Sequence, residues 1–156
     1  MAIRRPASCP GFTVAARVSV FRRLGEDDLK LTMTLATATA CTLIYVILSM
    51  SVTRERSKSR FVLADSMPQA LFMRTRTHAN FAEYVPLSLL FLALLELAQA
   101  PPALLAALGT TLVLARLSHA VGMSRATANR WRLAGYSGTL LVLLGEAITA
   151  VFLLAR

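Results

Sequence analysis

The chain has 156 residues, of which 56% are hydrophobic, and its 17 Lys and Arg against 8 Asp and Glu give a net charge of +9. The apolar fraction is too high for an ordinary soluble domain, and the length allows one domain of about four membrane-spanning helices. Two cysteines and two histidines argue against a disulfide framework or a metal site, and no basic platform interleaved with aromatic residues supports nucleic-acid binding.

Residues 1–28 differ from the rest of the chain and are predicted to be a separate basic leader. They hold several arginines and no acid before Glu26, and an arginine interrupts the apolar segment from Phe12 to Val20, which makes a poor signal-peptide core. The composition is that of a transit peptide, but Met33 directly precedes the first long apolar segment, so an over-long gene model is an equally good explanation. We expect this leader to be poorly ordered or loosely helical and residues 29–156 to form the functional domain.

Four apolar segments follow, each long enough to cross a membrane as a helix. The first runs from Leu31 to Val52 and the second from about Met67 to Ala98. The third runs from Ala103 to about Val121 and the fourth from Leu133 to Leu154. They predict an all-α integral membrane four-helix bundle.

The loops between these segments differ in charge. The first loop, after Val52, and the third, from Ser124 to Arg132, hold nearly all the loop Lys and Arg, whereas the turn from Ala100 to Ala103 holds none. The positive-inside rule places the two basic loops in the cytoplasm and both termini outside. The basic leader contradicts that placement, which is a further reason to separate it from the functional domain.

The second helix carries a polar stripe of Arg76, Asn80 and Glu83. These residues fall at i, i+4 and i+7 and share one face, while His78 points roughly the opposite way. An arginine or aspartate at the centre of a membrane helix costs about 2.5–3.5 kcal/mol, so the stripe must face protein, a water-filled cleft or a ligand. It is either a structural polar network or a functional site, and Pro86 is expected to kink the helix beside it.

The third and fourth helices add polar groups near the same predicted side. Arg116 and His119 lie at i and i+3 near the end of the third helix. A stripe at helical spacing on the fourth helix comprises Arg132, Tyr136, Thr139, Leu143 and Glu146. Close helix packing is expected at three glycines of the same helix, Gly135, Gly138 and Gly145. The polar ends of helices two to four therefore collect near the cytoplasmic face.

The segment from Arg76 to Pro86, R-x-H-x-N-x-x-E-Y-x-P, closely resembles the signature of the MAPEG family, the membrane-associated proteins in eicosanoid and glutathione metabolism. Arg116-x-x-His119, followed by Arg132 and Tyr136, extends the resemblance over everything but the leader. The resemblance implies a four-helix subunit that assembles as a homotrimer and holds glutathione between neighbouring subunits. The small size is similar to the bacterial branch of the family, which implies a bacterial inner membrane.

The resemblance also implies roles for individual residues, with Arg132 as the catalytic residue that activates the glutathione thiol. The implied glutathione-binding residues are Arg76, Asn80, Glu83, Tyr84, Arg116, His119 and Tyr136. Glutathione has two carboxylates and an ammonium, which suit clustered arginines and one acid, and a guanidinium beside the thiol favours the thiolate. His119 is as readily a packing histidine bonded to a carbonyl as a ligand contact.

These features predict a glutathione-dependent transferase or peroxidase that acts on hydrophobic electrophiles dissolved in the membrane. Its partners are copies of itself, lipid and that substrate. The alternative is a non-catalytic membrane scaffold or lipid-binding protein of the same fold, and a transporter is disfavoured because the chain has no inverted repeat or broken-helix pair. Met123 and Ala79 stand where eicosanoid-processing members tend to carry tyrosine and arginine, so the lipid substrate stays open.

Overall fold

The computed structural model describes residues 31–59, 67–125 and 129–155. This part of the chain forms four helices: α1 Thr32–Ser59, α2 Gln69–Leu97, α3 Pro102–Met123 and α4 Arg130–Leu154. Each helix is long and apolar enough to cross a membrane, and the described residues include no strand. The predicted all-α four-helix membrane fold is therefore confirmed. The prediction for residues 1–28 lies outside the described residues.

The helices are arranged with α1 and α4 on opposite sides of the α2–α3 pair, and each of these outer helices contacts both inner ones. Buried apolar side chains such as Phe81, Leu92, Leu112 and Val142 fill the centre. Large apolar side chains, among them Leu141 at 66% exposure, cover the outside of the helices. This outward apolar surface suits lipid as the surrounding solvent.

The two ends of the bundle differ in composition. We call the end where α1 and α3 finish and α2 and α4 begin the basic end, because Arg54, Arg74, Arg125 and Arg130 lie there. The opposite end, which we call the turn end, carries the connection from α2 to α3. There the backbone of Gln99 takes a positive φ of 59°, and two prolines follow at positions 101 and 102. Since proline cannot continue a helix but suits a first turn, this sequence ends α2 and starts α3.

The prediction that α1 ends at Val52 is wrong, since the helix continues to Ser59. The residues assigned to a basic loop, Arg54 to Lys58, are therefore helical. They are good helix formers, and Lys58 pairs with Glu55 at 3.6 Å across one turn. The charged residues therefore mark the end of the apolar segment, but the helix continues through them. Arg60, also assigned to that loop, lies outside the described residues.

Glu96, near the end of α2, caps the beginning of α1. Its Oε1 accepts from the backbone N–H of Met33 at 2.9 Å, and its Oε2 accepts from that of Thr34 at 2.8 Å. The first N–H groups of a helix lack partners within the helix and carry partial positive charge, so a carboxylate satisfies them well. This contact joins α1 to α2 at the turn end.

Candidate functional site

A polar cleft of about 560 Å³ opens between α2, α3 and α4 at the basic end. Five of the predicted site residues line it: Arg76, Asn80, His119, Arg132 and Tyr136. Five further residues complete its wall: Phe72, Met73, Met123, Asn129 and Leu133. Spacing along single helices thus identified the polar half of the wall, while the apolar half depends on how the helices pack.

Arg116 lies behind the polar cleft and not in its wall. Its side chain is only 1% exposed. One guanidinium nitrogen donates to the Asn80 Oδ1 at 3.1 Å, and the other donates to the Gly135 carbonyl at 3.2 Å and to the Thr139 hydroxyl. All of these partners are uncharged, so a buried cation stands next to the cleft without a carboxylate in contact with it.

Two tyrosines lie beside this buried cation. The Tyr84 and Tyr136 rings meet edge to face, with their centroids 6.3 Å apart and their planes at 89°. The Arg116 guanidinium carbon stands 5.7 Å from the centre of the Tyr84 ring, within the range of a cation–π contact. Tyr136 is 41% exposed and lines the cleft, whereas Tyr84 is half-buried. Tyr84 therefore supports the wall rather than forming its surface.

His119 has features of both roles proposed for it, that of a packing histidine and that of a ligand contact. The ring is buried, and its Nδ1 lies 3.4 Å from the Arg132 carbonyl, a contact that joins α3 to α4. The same ring lines the polar cleft. The other histidine, His78 of the α2 motif, points away from the α2 stripe as expected, with its Nε2 2.9 Å from the Ser49 hydroxyl of α1.

The structure separates the three residues of the α2 stripe. Asn80 is half-buried against Arg116, and Arg76 is exposed in the cleft wall. Glu83 is exposed and is not part of that wall, and no described residue forms an ion pair with it.

The first turn of α4 is fixed by Asn129, which sequence reasoning did not single out. Its Oδ1 accepts from the Arg132 backbone N–H at 3.1 Å, and its amide nitrogen donates to the Gly122 carbonyl at 2.9 Å. Asparagine directly before a basic, then apolar, helix is an N-cap signal that could have identified it. Gly122 lets α3 approach so closely that an added Cβ would collide with the Arg132 backbone.

The predicted close packing of α4 at its glycines is confirmed. A Cβ at Gly135 would collide with the backbone of His119 and Ala115, whereas one at Gly138 or Gly145 would come within 3.1 or 3.3 Å of an α3 side chain. The helix crossing that brings Arg132 next to His119 therefore depends on Gly122 and Gly135.

The α4 stripe changes character with depth. Arg132 and Tyr136 line the cleft, but Thr139 and Glu146 are each only 1% exposed. The Glu146 Oε1 accepts from the Ser88 hydroxyl of α2 at 2.7 Å, and its Oε2 has no hydrogen-bond partner. Glu146 is thus sealed within the bundle. No group of three or more potential metal ligands occurs in the described ranges.

Comparison with models of protein families identifies the family of this chain. The model of the MAPEG family matches residues 33–152, which include all four helices from near the start of α1 to near the end of α4. Comparisons with curated proteins and with solved structures give no match. The match covers most of the chain and every residue of the polar cleft, and the chain belongs to the MAPEG family.

Proposed function

We propose that this integral membrane protein is a glutathione-dependent transferase or peroxidase that acts on hydrophobic electrophiles. The observation that carries the proposal is the composition of the polar cleft. Arg76 and Arg132 stand in its wall, Arg116 lies buried behind it, and none of the described residues that line it is acidic. Uncompensated guanidinium groups in a partly desolvated cleft favour an anion, and they suit the carboxylates and thiolate of glutathione.

Arg132 is the proposed catalytic residue. It is exposed in the first turn of α4, where the guanidinium and the positive end of the helix act together on an anion. Both favour the thiolate over the thiol, and the thiolate is the attacking nucleophile. In the transferase reaction its sulfur forms a bond to the electrophilic carbon while the leaving group departs with the bonding electron pair. Tyr136, one turn later, is placed to orient the sulfur.

The apolar half of the cleft wall suits the second substrate. Phe72, Met73, Met123 and Leu133 stand in the same wall as the arginines. Methionine side chains are flexible and polarisable, so they accommodate apolar molecules of varied shape. The proposed electrophile reaches this wall from the membrane, while glutathione enters from the basic end, which the positive-inside rule makes the cytoplasmic side of a bacterial inner membrane.

The same proposal includes a homotrimer with glutathione between neighbouring subunits. The exposed Glu83 supports it, since a carboxylate on a membrane helix needs a partner and no described residue forms an ion pair with it. In that assembly Glu83 pairs with the glutathione ammonium or with an arginine of the neighbouring subunit. Cross-linking in mild detergent should yield trimers, and a yield of monomers alone would contradict this part of the proposal.

Glutathione titration of the purified protein in detergent tests the binding site. The wild type should give a saturable isotherm, and Arg76→Ala should weaken it because a guanidinium in the cleft wall is lost. Arg74→Ala is the matched control, since Arg74 is equally exposed on α2 but lies outside that wall. Equal weakening by both variants would indicate a general charge effect and would contradict a specific site.

The alternative function, a non-catalytic scaffold or lipid-binding protein, has support from one observation. The Arg116 guanidinium bonds to Asn80, Gly135 and Thr139 of its own subunit, as in a purely structural network. This alternative predicts no saturable glutathione binding and no turnover. The titration above therefore separates it from the enzyme.

A further inference from the structure

The buried Arg116 guanidinium is held in a single orientation by groups from two other helices. The Gly135 carbonyl and the Thr139 hydroxyl of α4 engage one of its nitrogens, and Asn80 of α2 engages another. The side chain is only 1% exposed, and close packing around a buried side chain restricts its rotamers. It also lies outside the wall of the polar cleft. Arg116 therefore presents a fixed donor to Asn80.

That fixed donor determines which way the Asn80 carboxamide points. The oxygen and nitrogen of an amide have nearly the same shape, so packing alone does not choose between the two orientations. Arginine has donors and no acceptor, so only the amide oxygen can face Arg116. The amide nitrogen is then turned away from Arg116, and Asn80 is one of the residues that line the cleft. No described residue accepts a hydrogen bond from this nitrogen.

We propose that Arg116 is a positioning residue, which holds Asn80 with its amide hydrogens directed into the polar cleft, so that Asn80 selects an oxygen acceptor of the ligand. This inference rests on the proposed function and names the atoms it requires: a carboxylate or a peptide carbonyl of glutathione. Arg76 and Arg132 in the same wall also offer donors only. The ammonium of the ligand is therefore excluded from this part of the cleft and must be held elsewhere.

Without Arg116 this selection is lost. An Asn80 carboxamide free to turn could offer its oxygen to the cleft as easily as its nitrogen, and a bound carboxylate would then meet an acceptor. The charge of Arg116 acts in the same direction as the amide, since a buried cation behind the wall attracts an anion in front of it. The buried Arg116 side chain thus sets the hydrogen-bonding character of the half-buried Asn80.

Asn80→Asp in the full chain tests the inference because it changes the cleft without removing the contact to Arg116. The carboxylate has the shape of the amide and accepts from the guanidinium more strongly, so the unfolding temperature in detergent should be at least that of the wild type. It replaces the amide donors in the cleft with a negative oxygen. Glutathione should bind about tenfold more weakly or worse. The ethyl ester of glutathione should recover part of this loss if Asn80 contacts the glycyl carboxylate, and none if it contacts a peptide carbonyl.

A double-mutant cycle tests the positioning role of Arg116 separately. Arg116→Gln removes the fixed donor while leaving an amide that can bond to Asn80 in either orientation. In that background Asn80→Ala should weaken glutathione binding less than it does in the wild type, because the orientation of Asn80 is already lost. If Arg116→Gln does not fold, Asn80→Asp and Asn80→Ala alone still decide the inference.

The outcomes separate this inference from the proposed function. A wild type that does not bind glutathione overturns both. A wild type that binds, with Asn80→Asp binding equally well, overturns the role of Asn80 and leaves the function standing. An Asn80→Asp protein that is clearly less stable than the wild type shows that Arg116 does not hold the group at this position, and the inference fails.

Discussion

Two polar regions of this bundle accommodate ionisable side chains in membrane helices in different ways. In the polar cleft, Arg76 and Arg132 are exposed, and the part of the wall that the structure describes holds no acid. About four turns after Arg132 on the same face of α4, Glu146 is 1% exposed and bonded to Ser88, which is fully buried. Both regions place ionisable groups in helices that cross a membrane, where such groups are costly. One region opens to a ligand, and the other is closed inside the subunit.

The comparison shows that an ionisable residue in a membrane helix does not by itself indicate a functional site. Glu146 and Glu96 have protein partners, a hydroxyl for one and the α1 amides for the other, and both serve the packing of helices. The cleft differs because its donors exceed its acceptors. The excess of unsatisfied donors, rather than the presence of charge, marks the region where a ligand is expected.

The largest effect is expected in the cleft, from Arg132→Ala. If its guanidinium stabilises the thiolate and the transition state, kcat with a hydrophobic test electrophile should fall by about 10²-fold or more, with glutathione affinity only modestly weaker. Arg130→Ala is the control, since Arg130 is exposed on the same turn but stacks near Trp131 outside the cleft. Steady-state kinetics that give full turnover for Arg132→Ala would remove it from the mechanism.

The next effect concerns the packing that forms the cleft. Gly122→Ala places a Cβ against the Arg132 backbone, which cannot yield as a flexible side chain can, so we expect a loss of about 1–3 kcal/mol of stability. It should also weaken glutathione binding by moving the start of α4. Gly145→Ala is matched to it, because there the Cβ meets only the end of the Leu108 side chain at 3.3 Å. Thermal unfolding that ranks the two variants equally would contradict this account of the helix crossing.

The closed region should respond in stability and not in binding. Glu146→Ala leaves the Ser88 hydroxyl without its partner in a buried site, which costs about 1–3 kcal/mol. Glu146→Gln keeps an oxygen acceptor and should stay close to the wild type in unfolding temperature. Both proteins should bind glutathione normally. A marked loss of glutathione affinity in the Gln variant would place Glu146 in the functional site and would contradict the difference in role between the cleft and the closed region.

The smallest effect is expected at the turn end. Glu96→Ala removes the cap of α1 and should cost about 1 kcal/mol, as the loss of a helix cap typically does.

A chain that begins at Met33 places a terminal ammonium beside the Glu96 carboxylate, so it should assemble as well as the full chain. Size-exclusion profiles and unfolding curves of the shortened chain and the full chain test this expectation. Failure of the shortened chain to assemble would give residues 1–32, which it lacks, a role in assembly.

The sequence was sufficient for the four helices and for half of the cleft wall. Long apolar segments identify membrane helices because only helices satisfy the backbone in lipid, and helical spacing placed Arg132 and Tyr136 on one face. The same spacing does not predict that Arg116 lies behind the cleft wall while Arg76 lies in it. Both are arginines at polar positions, and only the approach of α4 to α3 decides which one is buried.

Contacts between residues that are far apart in the chain cannot be predicted from local sequence patterns. Glu96 caps residues more than 60 positions earlier in the chain, and a lone glutamate near a predicted helix end reads as a surface residue. The end of α1 was misplaced because charge was taken as a loop signal, although Arg54 and Lys58 are good helix formers outside the apolar region. Both cases show that hydropathy locates the membrane better than it locates the ends of helices.

The central claim is that Arg132 and the start of α4 hold glutathione as the thiolate, and ultraviolet difference absorbance measures this most directly. Glutathione added to the purified wild type in detergent at neutral pH should produce thiolate absorbance that saturates with the binding isotherm. The same titration of Arg132→Ala should show binding with little thiolate. Saturable binding of glutathione to the wild type without any thiolate signal would contradict the enzyme and leave a glutathione-binding membrane protein without this chemistry.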